Sequence, residues 1–253
     1  MSPGFTLIEM AIVLLIVALL MGGLLPTLTS QIEQRRNSDT SKQLNEIKDA
    51  LIGYAVINGR LPCPASSTSN GAEYPVGGGN CTNFYNGFVP AATLGLSGTT
   101  DSSGFLIDSW GNRIHYAVTS WNSPSPVLND VFTTANGMST VGMSNFPTTG
   151  TPHLQVCSTA SASSTSCSVA NSALTASPGV LAVIYSTGKN GGYGGTGPDE
   201  AENPNPKSAD NDRVFVSHLP TGSGAPNGYF DDIVIWISPN VLINRMVAAG
   251  KLP

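Results

Sequence analysis

Seven carboxylates gather in the last quarter of the chain. Asp199, Glu200, Glu202, Asp210 and Asp212 lie within STGKNGGYGGTGPDEAENPNPKSADND, and Asp231-Asp232 follow the next apolar stretch. Glycines among them leave backbone carbonyls accessible. Oxygen donors at this density suit a hard cation, and calcium takes about six to eight of them. Asp199, Asp210, Asp212, Asp231 and Asp232 are the candidate ligands, and a solvated acidic loop is the competing explanation. Other chemistry finds less support. The three histidines, His115, His153 and His218, show no ligand spacing, and no CxxC accompanies them, which disfavours zinc. Gly188-Lys189-Asn190 is not a P-loop, because Asn stands where Ser or Thr would hold magnesium. Gly222-Ser223-Gly224 is not a nucleophile elbow, because no G-x-S-x-G occurs. No catalytic constellation emerges.

The four cysteines form two local sets, Cys63 with Cys81 and Cys157 with Cys167. An even count points to disulfides and an oxidising compartment. Three pairings exist. The two local ones are favoured because each closes a loop rich in Gly, Ser and Asn that has little core of its own. The 253 residues carry a net charge of −5 and only 11% charged side chains, a composition common in secreted and fibre-forming proteins. No basic groove for nucleic acid can be assembled from it.

Glu9 is the other residue whose type demands a reason. Phe5 to Leu25, FTLIEMAIVLLIVALLMGGLL, is twenty-one residues of otherwise uncharged sequence. That length lets a helix cross the hydrocarbon core of a bilayer. A carboxylate in its first turns is unfavourable in lipid and needs a partner. Met1-Ser2-Pro3-Gly4 stands just before it, a short leader ending in Gly. This arrangement resembles the N-terminus of type IV pilins and type II secretion pseudopilins. The resemblance covers about the first thirty residues. It implies that a prepilin peptidase cuts between Gly4 and Phe5 and methylates the new amine, and that Glu9 is the assembly glutamate. A cation at Phe5 one turn from Glu9 would supply the missing partner, within one subunit or from its neighbour. The leader lacks the Lys or Arg usual in the family. Arg35, Arg36, Lys42 and Lys48 beyond the span would place the C-terminal side in the cytoplasm by the positive-inside rule. The cysteines outweigh this and place the head in the periplasm.

Helix continues beyond the apolar run. Gly22, Gly23 and Pro26 are expected to kink or loosen it. Leu44, Ile47, Leu51 and Tyr54 then form one stripe at spacings of three and four, opposite Lys42, Asn45, Glu46, Lys48 and Asp49, and Asn58-Gly59 ends the helix. The segment after Gly59 reads as an irregular loop held by Cys63–Cys81. Strands follow at Arg113–Thr119, where His115 falls on the polar, solvated face, then at Val180–Tyr185, buried on both faces, at Arg213–His218 and at Asp231–Ser238. His153–Ser158 reads as a short strand, and 122–151 as an irregular insertion. Ser238-Pro239 opens a short helix over Val241–Ala249, stopped by Gly250. The Asp108-Ser109-Trp110-Gly111-Asn112 turn resembles a segment of the major pseudopilin, with Ser109 where Pro is usual. That protein also binds calcium in a loop at a similar place. The loop here is longer and its acids are spaced differently, so no ligand transfers one for one.

The expected fold is α+β: a long helical spine packed on a head of about four antiparallel strands. The expected divisions are a leader (1–4), a transmembrane helix (5–25), an amphipathic extension (26–58) and a β-rich head (59–253). Taken with the resemblance, the reading is a structural subunit of a type IV filament or type II secretion pseudopilus. It would be a non-enzyme held in the bacterial inner membrane with its head in the periplasm, then moved into a filament. Its partners would be the inner membrane, the prepilin peptidase, other pilin subunits and the assembly platform. Calcium is the one candidate cofactor. The rival readings are a membrane-anchored adhesin or binding module that does not polymerise, and a periplasmic hydrolase on a signal anchor.

Overall fold

The computed structural model describes residues 4, 6–146, 153–191, 197–203 and 212–252, with the side chains of 20–28 excepted. It divides into two compact units, Met1–Asp39 and Thr40–Pro253. Helix α1 (Leu7–Asn58) supplies the first unit and enters the second. The elements after it are β1 (Gly87–Phe88), α2 (Ala91–Leu94), β2 (His115–Val118), β3 (Ser123–Pro124), β4 (Val127–Leu128), α3 (Gly137–Val141), β5 (Gln155–Cys157), β6 (Ala182–Ser186), α4 (Pro198–Glu202), β7 (Val214–Val216), β8 (Ile233–Ile237) and α5 (Pro239–Ala248).

The expected loosening at Gly22, Gly23 and Pro26 does not interrupt α1, which is helical throughout. A proline inside a helix removes one donor, and here the carbonyl four residues earlier belongs to a glycine. Gly59 ends α1 in the left-handed region at φ +66°, and its N–H closes on the Ala55 carbonyl. Among the described residues no helix is long and apolar enough to cross a membrane. The apolar run has described side chains only over 6–19. At about 1.5 Å per residue that stretch is shorter than a hydrocarbon core of about 30 Å.

The head is built on a four-stranded antiparallel sheet in the order β1-β2-β6-β8. Its register runs through Tyr116↔Ile184 and Ile184↔Ile235. Leu44, Ile47, Leu51 and Ala55 of α1 pack with Tyr116, Val118, Ile184 and Ile237 on one face of the sheet, and Leu242 and Met246 of α5 join the same cluster. The other face carries Ala117, Val183, Tyr185 and Val234, which pack against Val156 and Phe215 of β5 and β7. The sheet is therefore covered on both sides, by helix on one and by a small second sheet on the other.

Two strand expectations are corrected by that second sheet. Arg213–His218 does contain a strand, but β7 pairs in parallel with β5 and takes no part in the main sheet. The fourth main strand is instead the two-residue β1, in a segment read as loop. The same layering corrects His115. It is only half-buried, yet it stacks on Tyr185 at 4.7 Å and lies 5.0 Å from Phe88. Burial, with the Arg113 charge adding to it, pushes its pKa down to about 4. A period-two pattern marks His115 as facing away from α1, but it cannot reveal that this second face is covered too.

Candidate functional site

At the N-terminus, Thr6 and Glu9 form a reciprocal cap on α1. The Thr6 N–H and hydroxyl both donate to Glu9 Oε2, at 2.9 and 2.8 Å, and the Glu9 N–H returns a bond to Thr6 Oγ1 at 3.3 Å. This is the capping-box arrangement, in which the Ncap and N3 side chains satisfy each other's backbone donors. Glu9 therefore has a neutral partner within its own helix before any cation reaches it. Gly4 is exposed, and a Cβ built on it would meet nothing within 4 Å. Phe5 lies outside the described residues. Around this cap the helix is apolar on every side. Leu7 is 90% exposed, and Ile8, Leu14, Leu15 and Leu19 each exceed 60%. A helical surface apolar on every side is ordinarily a buried one.

A second constellation lies at one end of the main sheet. Antiparallel pairing sets Ser186, the last residue of β6, opposite Ile233, the first of β8. The residues after β6 and the Asp231-Asp232 pair before β8 are thereby brought side by side. The helix α4 adds Glu200. One ligand atom from each of Glu200, Asp231 and Asp232 lies within 4.8 Å of the others. Glu200 is 2% exposed and Asp232 6%. Among the described residues, both Glu200 carboxylate oxygens and the Oδ1 atoms of Asp231 and Asp232 have no hydrogen-bond partner. The second oxygens of the aspartates are used. Asp231 Oδ2 accepts from the Lys189 N–H at 2.9 Å and from the Tyr229 hydroxyl at 2.8 Å, while Asp232 Oδ2 accepts from Asn203 Nδ2 at 2.7 Å.

Burial pushes Glu200 up to about 7; the Asn190 side chain opposes this, while the charge and side chain of Asp231 add to it. Burial likewise holds Asp232 well above the carboxylate range; the Asn203 bond opposes this, while the charges of Glu200 and Asp231 reinforce it. The charges around Glu200 and Asp232 add to burial in disfavouring their ionised forms, and a cation among these oxygens would act in the opposite sense.

The structure separates the sequence candidates. Asp231 and Asp232 join the cluster. Asp199 does not: its Oδ1 accepts from the Thr159 hydroxyl at 2.9 Å and the Ala160 N–H at 2.6 Å, and its Oδ2 from Asn227 Nδ2 at 2.8 Å, with His218 Nε2 at 3.3 Å. It clasps α4 to the 157–167 loop. Asp212 Oδ1 accepts from the Val214 N–H at 3.0 Å, at the start of β7. Asp210 lies outside the described residues. Glu200 sits beside Asp199 in an acidic run, and nothing in the spacing distinguishes the one that faces the cluster from the one that clasps. The buried amide of Asn203 bonds both the N–H and the carbonyl of Val216, so α4 is fixed at both ends by polar side chains and needs no apolar face.

The cysteines pair locally, Cys63 with Cys81 and Cys157 with Cys167. Within the first loop, Glu73 returns to Arg60 at the end of α1 through two bonds of 2.7 Å, and it also accepts from the Cys63 and Gly77 N–H groups, each at 3.2 Å. Among the described residues no histidine hydrogen-bonds a serine, threonine or cysteine. His115 and His153 are packed against aromatic rings, and His218 Nδ1 contacts the Leu219 carbonyl.

Residues 2–25 match the family model described as the prokaryotic N-terminal methylation motif, which is characteristic of type IV pilins and pseudopilins. No curated protein and no solved structure matches the chain.

Proposed function

We propose that this chain, which carries the prepilin-type methylation motif at 2–25, is a structural subunit of a type IV filament or a type II secretion pseudopilus. The observation that carries the reading is the capped Glu9 at the start of α1, where the described stretch 6–19 is otherwise uncharged and exposes apolar side chains all round. In this reading the run 5–25 is stored in the inner membrane with the head in the periplasm. Cleavage after Gly4 frees the Phe5 amine. In the filament Glu9 exchanges Thr6 for a cationic partner, and neighbouring helices replace lipid over the apolar surface. The subunit acts by assembly. The prepilin peptidase, the assembly platform and other pilin subunits are its partners.

Substitutions at Glu9 test this. Glu9→Gln preserves a side chain able to close the cap on Thr6 but removes the charge. Glu9→Leu removes both. Each variant is expected to insert into membrane normally and to be nearly absent from sheared filaments, as measured by immunoblot of the two fractions. Wild-type incorporation of the Gln variant would show that capping, not charge pairing, is the residue's role.

Within the head, Glu200, Asp231 and Asp232 fit a calcium ion. Their unpartnered oxygens supply part of the required set, with backbone carbonyls and water as the remaining donors. When bound, the ion would favour the ionised forms of buried Glu200 and Asp232 beside half-buried Asp231, and would join α4 to the β6–β8 end of the sheet. The carboxyls of Glu200 and Asp232 are raised in the folded state, so the folded head binds protons that the unfolded chain has released. The contribution is full below an unfolded carboxylate pKa of about 4; the Glu200 share is lost as pH rises through about 7, and the Asp232 share as pH rises through its own raised value. Full-length protein in detergent with chelator should therefore melt at a lower temperature as pH is raised from about 5 to about 8. Calcium should cancel that fall, stabilising by about 2.7 kcal/mol at a hundredfold excess over Kd. A melting temperature at the upper pH that ignores millimolar calcium would exclude the ion.

A further inference from the structure

The cluster is held in place by a turn that contributes no ligand to it. Asp108 Oδ1 accepts from the N–H groups of Trp110 and Asn112, both at 2.9 Å, and closes the turn. Its other oxygen accepts from the Ser186 hydroxyl at 2.5 Å, at the last residue of β6. Ser186 Oγ in turn accepts from the Gly188 N–H at 3.1 Å, and Asn112 Nδ2 donates to the Gly188 carbonyl at 2.6 Å. Both polar groups of the Gly188 backbone are thus fixed by the turn and by the side chain that the turn orients. Gly188 sits at φ +62°, and a Cβ there would collide with the Asp231 carboxylate. The next backbone donor, Lys189 N–H, bonds Asp231 Oδ2 and leaves Oδ1 in the cluster.

The turn is anchored from its other side by α1. Thr40 Oγ1 accepts from the Ser109 N–H at 3.3 Å, and Gln43 Nε2 donates to the Ile107 carbonyl at 3.1 Å. Thr40 and Ser186 are fully buried and Asp108 nearly so. A path of hydrogen bonds and short backbone links therefore runs from the spine through the turn and 188–189 to Asp231.

We infer that Asn112 and Ser186 are positioning residues for a divalent cation at Glu200, Asp231 and Asp232, holding 187–189 against Asp231 so that its free oxygen is aimed into the cluster. This rests on the reading that the cluster takes a cation. Donors behind a ligating carboxylate orient it before the ion arrives, and losing such an outer partner typically weakens metal binding by about 10- to 100-fold; Asn112 and Ser186 act on the Lys189 N–H donor through the Gly188 backbone, so the low end of that range is expected. Asn112→Ala would leave the Gly188 carbonyl without its donor. Ser186→Ala would unlink both Asp108 and the Gly188 N–H with little change in volume.

The experiment is calcium titration of the full chain in detergent, followed by calorimetry, with melting in chelator measured on the same samples. Wild type, Asn112→Ala, Ser186→Ala and Asp231→Ala are compared. Asp231→Ala should lose binding. Asn112→Ala and Ser186→Ala should bind calcium about tenfold more weakly, whatever happens to their melting temperatures in chelator. Asn112→Ala is the more disruptive change, and should it not fold, Ser186→Ala decides alone. A lowered melting temperature in chelator with an unchanged calcium Kd would make the turn merely structural and overturn the inference while leaving the cation reading intact. No calcium binding by wild type would overturn both.

Discussion

Gly4→Val is expected to leave the chain unprocessed, with almost no protein starting at Phe5. Gly4 is exposed, and a Cβ added there meets no atom within 4 Å. The substitution therefore removes no contact in this chain, and any effect must arise in the enzyme that reads the junction. An active site shaped around a hydrogen at that position has no room for a β-branched side chain. Peptides retaining residues 1–4 should dominate the N-terminal mass spectrum of the membrane fraction, and the variant should be missing from sheared filaments. Cleavage of the Val variant at the wild-type position and rate would break the link between the methylation motif and processing in this protein.

Glu73→Ala is expected to destabilise the head by about 3–5 kcal/mol, the range for removing one member of a buried ion pair. Arg60 and Glu73 side chains are only 7% and 6% exposed, and their two bonds join the end of α1 to the middle of the 63–81 loop. Removing the carboxylate leaves a buried guanidinium uncompensated and also orphans the Cys63 and Gly77 N–H groups. Burial alone would raise the Glu73 pKa, but Arg60 and those N–H donors outweigh it and hold it below the usual range. The depressed pKa means that this stabilisation is present above an unfolded value of about 4.3 and is lost as pH falls through the folded one. Chemical denaturation of Glu73→Ala against wild type measures the effect. The double variant Arg60→Met with Glu73→Leu should recover much of the loss, because no buried charge then remains. A change under about 1 kcal/mol in the single variant would show that the pair is solvated, like an ordinary surface bridge.

The parts of the fold that were legible in the sequence are those whose periodicity is enforced by a single neighbour. Leu44, Ile47 and Leu51 recur at helical spacing because one side of α1 meets the sheet. The runs that became β6 and β8 are apolar enough to stand out by themselves. The fourth member of the α1 stripe, Tyr54, leaves the core, because its hydroxyl reaches Glu73 at 3.4 Å. β1 is two residues long and has no period to read. Its place depends on Gly87, where a Cβ would collide with Pro64. The parallel pairing of β5 with β7 is a matter of chain direction, which alternation does not encode.

The candidate sites divide in the same way. Asp231 and Asp232 stand at the start of a strong strand, so their position follows from that strand. Glu200 depends on how α4 docks, through Asp199 at one end and Asn203 at the other, and spacing cannot report docking. At the N-terminus, Thr6-Leu-Ile-Glu9 does carry the capping signature. Weighing Glu9 against lipid draws attention to a cation and away from the threonine three residues before it.

The C-terminal part of α1 is at once handle and core. Leu44, Leu51 and Ala55 are fully buried in the head, so a force applied to this part of the helix is delivered to the head's interior. Traction on it loads the hydrophobic contacts directly, and the head must yield by losing its core before it can lengthen. What could then be drawn out is limited by the two covalent rings. They enclose sequence separations of 18 and 10 residues, which at about 3.5 Å per extended residue withhold about 60 and 35 Å of contour. The first ring begins only five residues beyond the end of α1. It acts as a stop near the point where the load enters, and its reduction would convert a stiff element into an extensible one.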